Sequence, residues 1–198
     1  VKLISVYRDT YLKMGENDSY NKITDANRIG GPKMTIQALN QAMDMNISKF
    51  VVVNFKAVAD LVDQVGGITV DVQDFEIPQL NKYTIQTAEN IGKKDYKLVE
   101  KAGEQTLEGV QAVSYGRIRK GVGDDFKRTE RMRTVLTKVF DKVKKMSFGE
   151  LNDLLDLLLP QAQTNLGNSD MLGLAARLTN FKIEESIGWP YDITGGMI

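Results

Sequence analysis

Apolar and polar positions alternate in the opening residues, VKLISVYRDTYLKM, and several of the apolar ones are β-branched. Both features predict a strand at the start of the chain. The next clear pattern is helical, because a proline follows the pair Gly30 and Gly31 and apolar side chains then recur near helical spacing. This helix is predicted over GGPKMTIQALNQAMDM. Its apolar residues are Met34, Ile36, Ala38, Leu39, Ala42 and Met43.

Three further segments have the patterns of a strand, a helix and a strand. The apolar run KFVVVNF predicts a buried strand. KAVADLVDQVGG predicts a helix that ends at its glycine pair, and ITVDVQ predicts the next strand. This alternation favours an α/β fold, in which a sheet is sandwiched between helices and ligands bind at strand ends.

The pattern weakens and then recovers in the second half of the chain. Residues 75–101 are polar and turn-rich, which indicates an excursion rather than a separate domain. TLEGVQAVSYGRIR predicts a short helix that leads into a strand. The last strong helix is predicted from near Asp124 to about Lys145, because one apolar stripe runs along it. The stripe consists of Met132, Val135, Leu136, Val139, Phe140 and Val143.

The composition restricts the possible catalytic chemistry more than it restricts the possible fold. A length of 198 residues suits one domain, and 26 basic residues against 26 acidic ones do not favour a nucleic-acid-binding protein. Cysteine and histidine are both absent. This excludes thiol nucleophiles, disulfides and Ser-His-Asp catalysis, so acid-base chemistry falls to carboxylates, lysine or tyrosine. The apolar runs are shorter than the roughly 18 residues of a membrane helix.

One stretch, GRIRKGVGDDFKRTERMR, concentrates five arginines and two lysines in residues 116–133. An arginine cluster of this kind is often a solvated or ion-paired surface, and an acidic pair such as Asp124 and Asp125 is an ordinary helix cap. The alternative is a site for a multiply charged phosphate. On spacing alone, both interpretations stay open.

The spacing of these arginines favours convergence on one place. Arg128 is four residues before Met132 and falls in the apolar sector of the helix, whereas Arg131 and Arg133 lie on its flanks. An unpaired buried guanidinium is costly, so Arg128 should face a carboxylate or a bound anion. Arg117 and Arg119 are two apart on the predicted strand and point to one face. The connection brings that face towards the helix start, where backbone amides favour anions.

Five segments in order resemble the LytR-CpsA-Psr (LCP) family. They are ISVYRDTYL, KITDANRIGGP, FVVVNFKAVADLVDQVGGITVDV, AGEQTLEGVQAVSYGRIR and DDFKRTERMRTVLTKVFDKV. The resemblance spans most of residues 3–145 and extends to TNL at Thr164 to Leu166. It implies a central mixed β-sheet flanked by helices on both faces. The chain is then one LCP domain over residues 1–198, with residues 146–198 as its C-terminal part.

The resemblance also implies a function. Members of this family are phosphotransferases, mostly of Gram-positive bacteria, on the extracellular face of the cytoplasmic membrane. They move an anionic glycopolymer, such as wall teichoic acid or capsule, from a polyprenyl-pyrophosphate carrier to a muramic acid hydroxyl of peptidoglycan, assisted by Mg²⁺. A pyrophosphatase side activity and a membrane helix before the domain are further expectations. Many members were first labelled transcriptional regulators, but that label does not indicate a DNA-binding site, and no nucleic-acid partner is expected.

The family pattern assigns roles to seven residues of this sequence. Arg128 and Asp125 match its catalytic D-F-x-R block, in which the aspartate orients or deprotonates the acceptor hydroxyl. The pyrophosphate-binding positions are Arg8, Lys22, Arg117, Arg119 and Arg131. For Arg8, an ordinary ion pair with Asp9 is the alternative.

Two departures from the family pattern stand out. Met132 occupies a position where the family usually has glutamine. The family's leading strand, with its magnesium-binding aspartates, is expected before Val1, so no metal ligands are assigned in this chain and the fragment alone is expected to be impaired. Two other hypotheses remain: a module that binds wall polymer without turnover, and a DNA-binding regulator, for which no helix-turn-helix or basic face is found.

Overall fold

The structure, a computed structural model, describes residues 1–15, 19–119 and 125–191. The described strands are β1 Lys2–Val6, β2 Tyr11–Lys13, β3 Tyr20–Lys22, β4 Val51–Val53, β5 Ile68–Val72, β6 Gly103–Leu107, β7 Ala162–Thr164 and β8 Glu185–Trp189. The α-helices are α1 Ile23–Met43, α2 Phe55–Gln64, α3 Ile77–Ile91, α4 Gly109–Tyr115, α5 Asp125–Val143, α6 Phe148–Leu158 and α7 Asn168–Arg177. Strands and helices alternate, which confirms the predicted α/β class.

The strands pair in both directions. β1 pairs with β8 in parallel, whereas β2 with β3, β4 with β7 and β5 with β6 pair antiparallel. Within the described residues no ladder joins these pairs, so they stand as four two-stranded sheets where one central sheet was expected. Helix α5 contacts β1, β5 and β8 and so bridges two of the pairs.

Helix α5 has nearly the predicted bounds, but its buried stripe differs from the predicted one. Val135 and Val139 are buried in the main core, whereas Leu136 is exposed. Arg131, predicted on the flank, is only 8% exposed. Because residues four apart share a helix face, Arg131 lies in line with Val135 and Val139 and belongs to the buried stripe.

Helix α3 lies in the segment that the sequence suggested was a polar excursion. Its buried face is formed by Leu80, Thr84, Thr87 and Ala88. The two threonines hide the helical period from a hydrophobicity count, although the spacing is helical. The Thr84 hydroxyl donates to the Leu80 carbonyl at 2.9 Å, which satisfies it inside the helix.

Two strand predictions are wrong in part. Residues 117–119 form a turn and an extended exit from α4, because the amides of Arg117 and Ile118 donate back to the carbonyls of Ser114 and Tyr115. Strand β4 is present but is not buried: Val51 and Val53 share an outward face and are 55% and 47% exposed.

The opening residues form two strands rather than one, and the predicted helix after the glycine pair is the second half of α1. The helix is kinked at Gly30 and Gly31, and Gly31 has φ +66°, a conformation that favours glycine. The first half of α1 was not predicted. In the described part of the chain, no helix has the length and apolar character needed to span a bilayer.

Candidate active site

Three of the five arginines of the GRIRKGVGDDFKRTERMR stretch line one cavity of about 540 Å³. Its wall comes from the end of β1, the start of α2, the middle of α3, the exit of α4 and the first turns of α5. We call it the arginine cavity, after Arg117, Arg119 and Arg128. Among the described residues that line it, none carries a carboxylate. The other lining residues are Ser5, Val6, Phe55, Tyr83, Gly116, Thr129 and Met132.

Arg117 is held in place from three sides. Its guanidinium carbon lies 5.0 Å from the centroid of the Phe55 ring and 5.1 Å from that of Tyr83, within cation-π range of both. Its Nη1 donates to the buried Thr87 hydroxyl at 2.7 Å. A cation fixed in this way loses little side-chain entropy when an anion binds.

The segment that carries Arg117 and Arg119 is anchored from beneath by a buried ion pair. Arg131 Nε donates to Glu76 Oε1 at 2.8 Å, and its Nη1 makes a long 3.5 Å contact with the Ile118 carbonyl. Burial raises the pKa of the neighbouring Tyr115 phenol, and the Glu76 carboxylate raises it further. Ile118 itself is fully buried, so its two arginine neighbours are tied to the core.

A second basic cluster surrounds Asp9, in the turn between β1 and β2. Lys22 Nζ lies 3.0 Å from Asp9 Oδ1, and Arg8 Nε lies 3.6 Å from Oδ2. The amide of Thr24 donates to the Arg8 carbonyl at 3.1 Å, which fixes the turn against the start of α1. The hydrogen bond from Lys22 holds the pKa of Asp9 below its ordinary value despite partial burial, and the charges of Lys22, Arg8 and Arg119 add to this effect. Asp9 therefore links the electrostatics of the cluster to the arginine cavity.

Replacing Lys22 with methionine is expected to raise the pKa of Asp9, because the hydrogen bond that lowers it most is lost. The depressed pKa stabilises the fold above the ordinary titration range of a carboxyl, and this contribution disappears as pH falls through the folded-state pKa. An NMR titration of the Asp9 carboxyl carbon checks the shift. Lys33→Met, at an exposed lysine of α1, is the matched control, and an unchanged Asp9 pKa in Lys22→Met would contradict the assignment.

Comparison with known proteins decides the family. The sequence pattern of the LytR_cpsA_psr family matches residues 1–187. The chain belongs to the LytR_cpsA_psr family.

Individual LytR_cpsA_psr relatives are similar over nearly all of this chain. The polyisoprenyl-teichoic acid–peptidoglycan teichoic acid transferase TagT of Bacillus subtilis (strain 168) is 31% identical over 199 residues, which cover 98% of this chain and 58% of TagT. Biofilm regulatory protein A of Streptococcus mutans serotype c is 28% identical over 207 residues, 98% of this chain and 49% of that protein. A solved structure of TagT bound to LIIa-WTA has a TM-score of 0.71 at 27% identity, over 93% of this chain and 65% of that chain. The chain thus spans little more than half the length of TagT.

The site residues predicted from the sequence lie in three places in the structure. Arg117, Arg119 and Arg128 line the arginine cavity, while Arg8 and Lys22 meet at Asp9. Arg131 is buried against Glu76 and is not among the residues that line the cavity. Asp125 is the first residue of α5, and its side chain lies outside what the structure describes, as does all of Asp124.

Met132, for which the family resemblance predicts a glutamine, lines the arginine cavity. A Cβ built on Gly116 would lie 2.8 Å from Met132 Cε, so the thioether packs directly over this glycine. The wall of the cavity at this point is therefore apolar.

Four residues around the arginines were not predicted to contribute to the site: Phe55, Glu76, Tyr83 and Thr87. Phe55 is the first residue of α2, Glu76 directly precedes α3 and Tyr83 lies within α3, so all three are distant in sequence from the arginines. A helical count that treats threonine as a core residue would have placed Thr87 on the buried face of α3, beneath Arg117. The aromatic partners of Arg117 carry no comparable local signal.

The described residues do not fit a magnesium site. They contain no group of three acidic residues close enough to hold a metal ion. Asp9, near the basic cluster, already lies against Lys22 and Arg8, and the cavity lining is cationic. Mg²⁺ prefers carboxylate, phosphate and water oxygens, which these groups do not supply.

Proposed function

We propose that this chain is the phosphotransferase domain of an enzyme that moves an anionic glycopolymer from a polyprenyl-pyrophosphate carrier to peptidoglycan, on the outer face of the cytoplasmic membrane. The observation that carries the proposal is the convergence of Arg117, Arg119 and Arg128 on one cavity. Guanidinium groups bind phosphate oxygens through paired N–H donors, and two linked phosphates need several such forks. The names of the TagT, TagU and TagV relatives support the same substrate class.

The proposed reaction is a single displacement at phosphorus. The acceptor hydroxyl oxygen of peptidoglycan forms a bond to the phosphorus that carries the glycopolymer. The bond from that phosphorus to the bridging oxygen breaks, and polyprenyl phosphate leaves with the electron pair. Asp125 takes the hydroxyl proton, a role that no histidine can fill in this chain.

The arginines stabilise the charge that moves in this displacement. Negative charge grows on the bridging oxygen as its bond breaks, and a fixed cation placed there lowers the barrier without reorganising. Arg117 is fixed in place by Phe55, Tyr83 and Thr87. Arg8 and Lys22 are proposed to extend the positive field beyond the cavity.

Mg²⁺ is retained as a proposed cofactor. Its carboxylate ligands would have to come from outside the described residues, since these hold no suitable group. When bound, the ion would offset the charge of the pyrophosphate.

A transfer assay tests the function. The 198-residue chain, and in parallel the longest form encoded by its gene, is incubated with a polyprenyl-pyrophosphate oligosaccharide, peptidoglycan and Mg²⁺. Oligosaccharide attached to the glycan, with release of polyprenyl phosphate, is the expected result for the longer form. Tight binding of the lipid without transfer by either form would reject the enzyme and support a binding module. Absence of both binding and transfer would reject the proposed substrate.

A further inference from the structure

A second cavity, of about 290 Å³, lies where the outer side of α5 meets β8. We call it the α5–β8 cavity. Its volume is near the lower end of the roughly 300–1,000 Å³ typical of small-molecule sites. The lining residues are Glu130, Arg133, Thr134, Thr137, Lys138 and Ser186.

Arg133 is poorly satisfied in its present position. Its Nη1 is shielded from solvent and has no hydrogen-bond partner among the described residues. In the part of the chain that the structure describes, Arg133 also takes part in no ion pair. A shielded guanidinium nitrogen without an acceptor costs free energy, and this cost disappears if the side chain turns into the cavity towards an anion. The side chain has nothing polar to release before it turns.

The charges around Arg133 favour an anion. Glu130 is paired with Lys127, whose Nζ lies 2.9 Å from Oε2, and Arg133 and Lys138 leave the lining with an excess of positive charge. The exposed Lys138 has no ion pair among the described residues. Thr134 donates its hydroxyl hydrogen to the Glu130 carbonyl at 3.1 Å, which leaves Thr137 and Ser186 as hydroxyl donors to a ligand.

We propose that the α5–β8 cavity binds the phosphate of a phosphorylated polyol or sugar. Arg133 and Lys138 hold the phosphate oxygens, as a fork and a point charge, and Ser186 and Thr137 complete its hydrogen bonds. The second Glu130 oxygen accepts a hydrogen bond from a ligand hydroxyl. This distinguishes a polyol phosphate from a bare anion.

The site is separate from the arginine cavity and does not rest on the proposed function. Met132 lines the arginine cavity and Arg133 lines the α5–β8 cavity. Consecutive residues of a helix point about 100° apart, so α5 carries the two sites on different sides. The two cavities share no described lining residue, so a substitution at one is expected to spare the other.

An NMR titration of the ¹⁵N-labelled 198-residue chain with glycerol phosphate tests the site, with glycerol as the uncharged comparison. We expect saturable chemical-shift changes of the Thr134, Thr137 and Ser186 amides with glycerol phosphate and none with glycerol. Arg133→Gln is expected to weaken this binding about tenfold or more, because a charge-assisted hydrogen bond is lost. Arg128→Ala should leave the affinity unchanged, and so should Arg177→Gln at an exposed arginine of α7.

Several results would overturn the proposal. These are shifts confined to the arginine cavity, equal shifts with glycerol, or unchanged affinity in Arg133→Gln. If Arg133→Gln fails to fold, the double variant Lys138→Gln and Ser186→Ala decides, because both side chains are exposed and their loss spares the core. Unchanged affinity in that double variant also rejects the site.

Discussion

Replacing Arg128 with alanine is expected to lower the rate of glycopolymer transfer by about 100- to 1,000-fold, the usual effect of removing one preorganised donor to a developing oxyanion. Arg128 lines the arginine cavity opposite the exit of α4, and no neighbouring lysine among the lining residues can replace its fork. Arg128→Lys keeps the charge but loses bidentate binding, so its transfer rate should fall between those of the wild type and Arg128→Ala. Single-turnover transfer kinetics with the longest active form measure the effect.

Arg28→Ala is the matched control for this experiment. Arg28 is exposed on α1 and pairs with Asp25 at 3.1 Å, a surface interaction of little consequence. The two alanine variants should unfold at similar temperatures, while only Arg128→Ala loses transfer. Equal activity in both variants would show that Arg128 does not bind the reacting phosphates.

Replacing Glu76 with alanine is expected to destabilise the fold by about 3–5 kcal/mol, because it removes the buried carboxylate to which the Arg131 guanidinium donates. Glu76 and Arg131 are 4% and 8% exposed, and their contact is 2.8 Å long. Equilibrium unfolding in urea measures the change.

A double variant separates the pair from the packing around it. Glu76→Leu combined with Arg131→Met removes both charges, so it should recover much of the stability lost in Glu76→Ala. Glu185→Gln, in an exposed pair with Lys2, should leave the urea midpoint unchanged. A Glu76→Ala midpoint equal to that of the wild type would mean that Arg131 finds another partner and that the buried pair is dispensable.

Local signals in the sequence were sufficient for the elements with strong periods. The bounds of α5 and α2 follow from an apolar stripe and a glycine pair, both of which act within one or two turns of helix. The meeting of Arg117, Arg119 and Arg128 was also predictable, although the predicted strand at residues 117–119 is a turn. Convergence survived this error because Arg117 and Arg119 flank a buried Ile118, which fixes their common side as a strand would.

Tertiary partners could not be read from the sequence. The sequence placed Arg131 on a flank of the helix and assigned it to the pyrophosphate. Its burial depends on the ion pair with Glu76, which follows β5 and is too distant in sequence for a local pattern to indicate. The aromatic clamp on Arg117 likewise joins α2 to α3, and α3 was concealed by two buried threonines. The prediction that β4 is buried was wrong for the opposite reason. Its apolar run is continuous, but the described pairing leaves Val51 and Val53 facing outward.

The parallel pairing of β1 with β8 has a consequence for when the site can form. Ser5 and Val6, which line the arginine cavity, lie opposite Gly188 and Trp189 in the register. Contacts between such distant segments require closure of a very long loop and raise the contact order, which slows folding. During synthesis β1 therefore cannot pair with β8 until nearly all of the described chain has left the ribosome. The arginine cavity is thus a late product of folding, assembled after the helical core that supports its arginines.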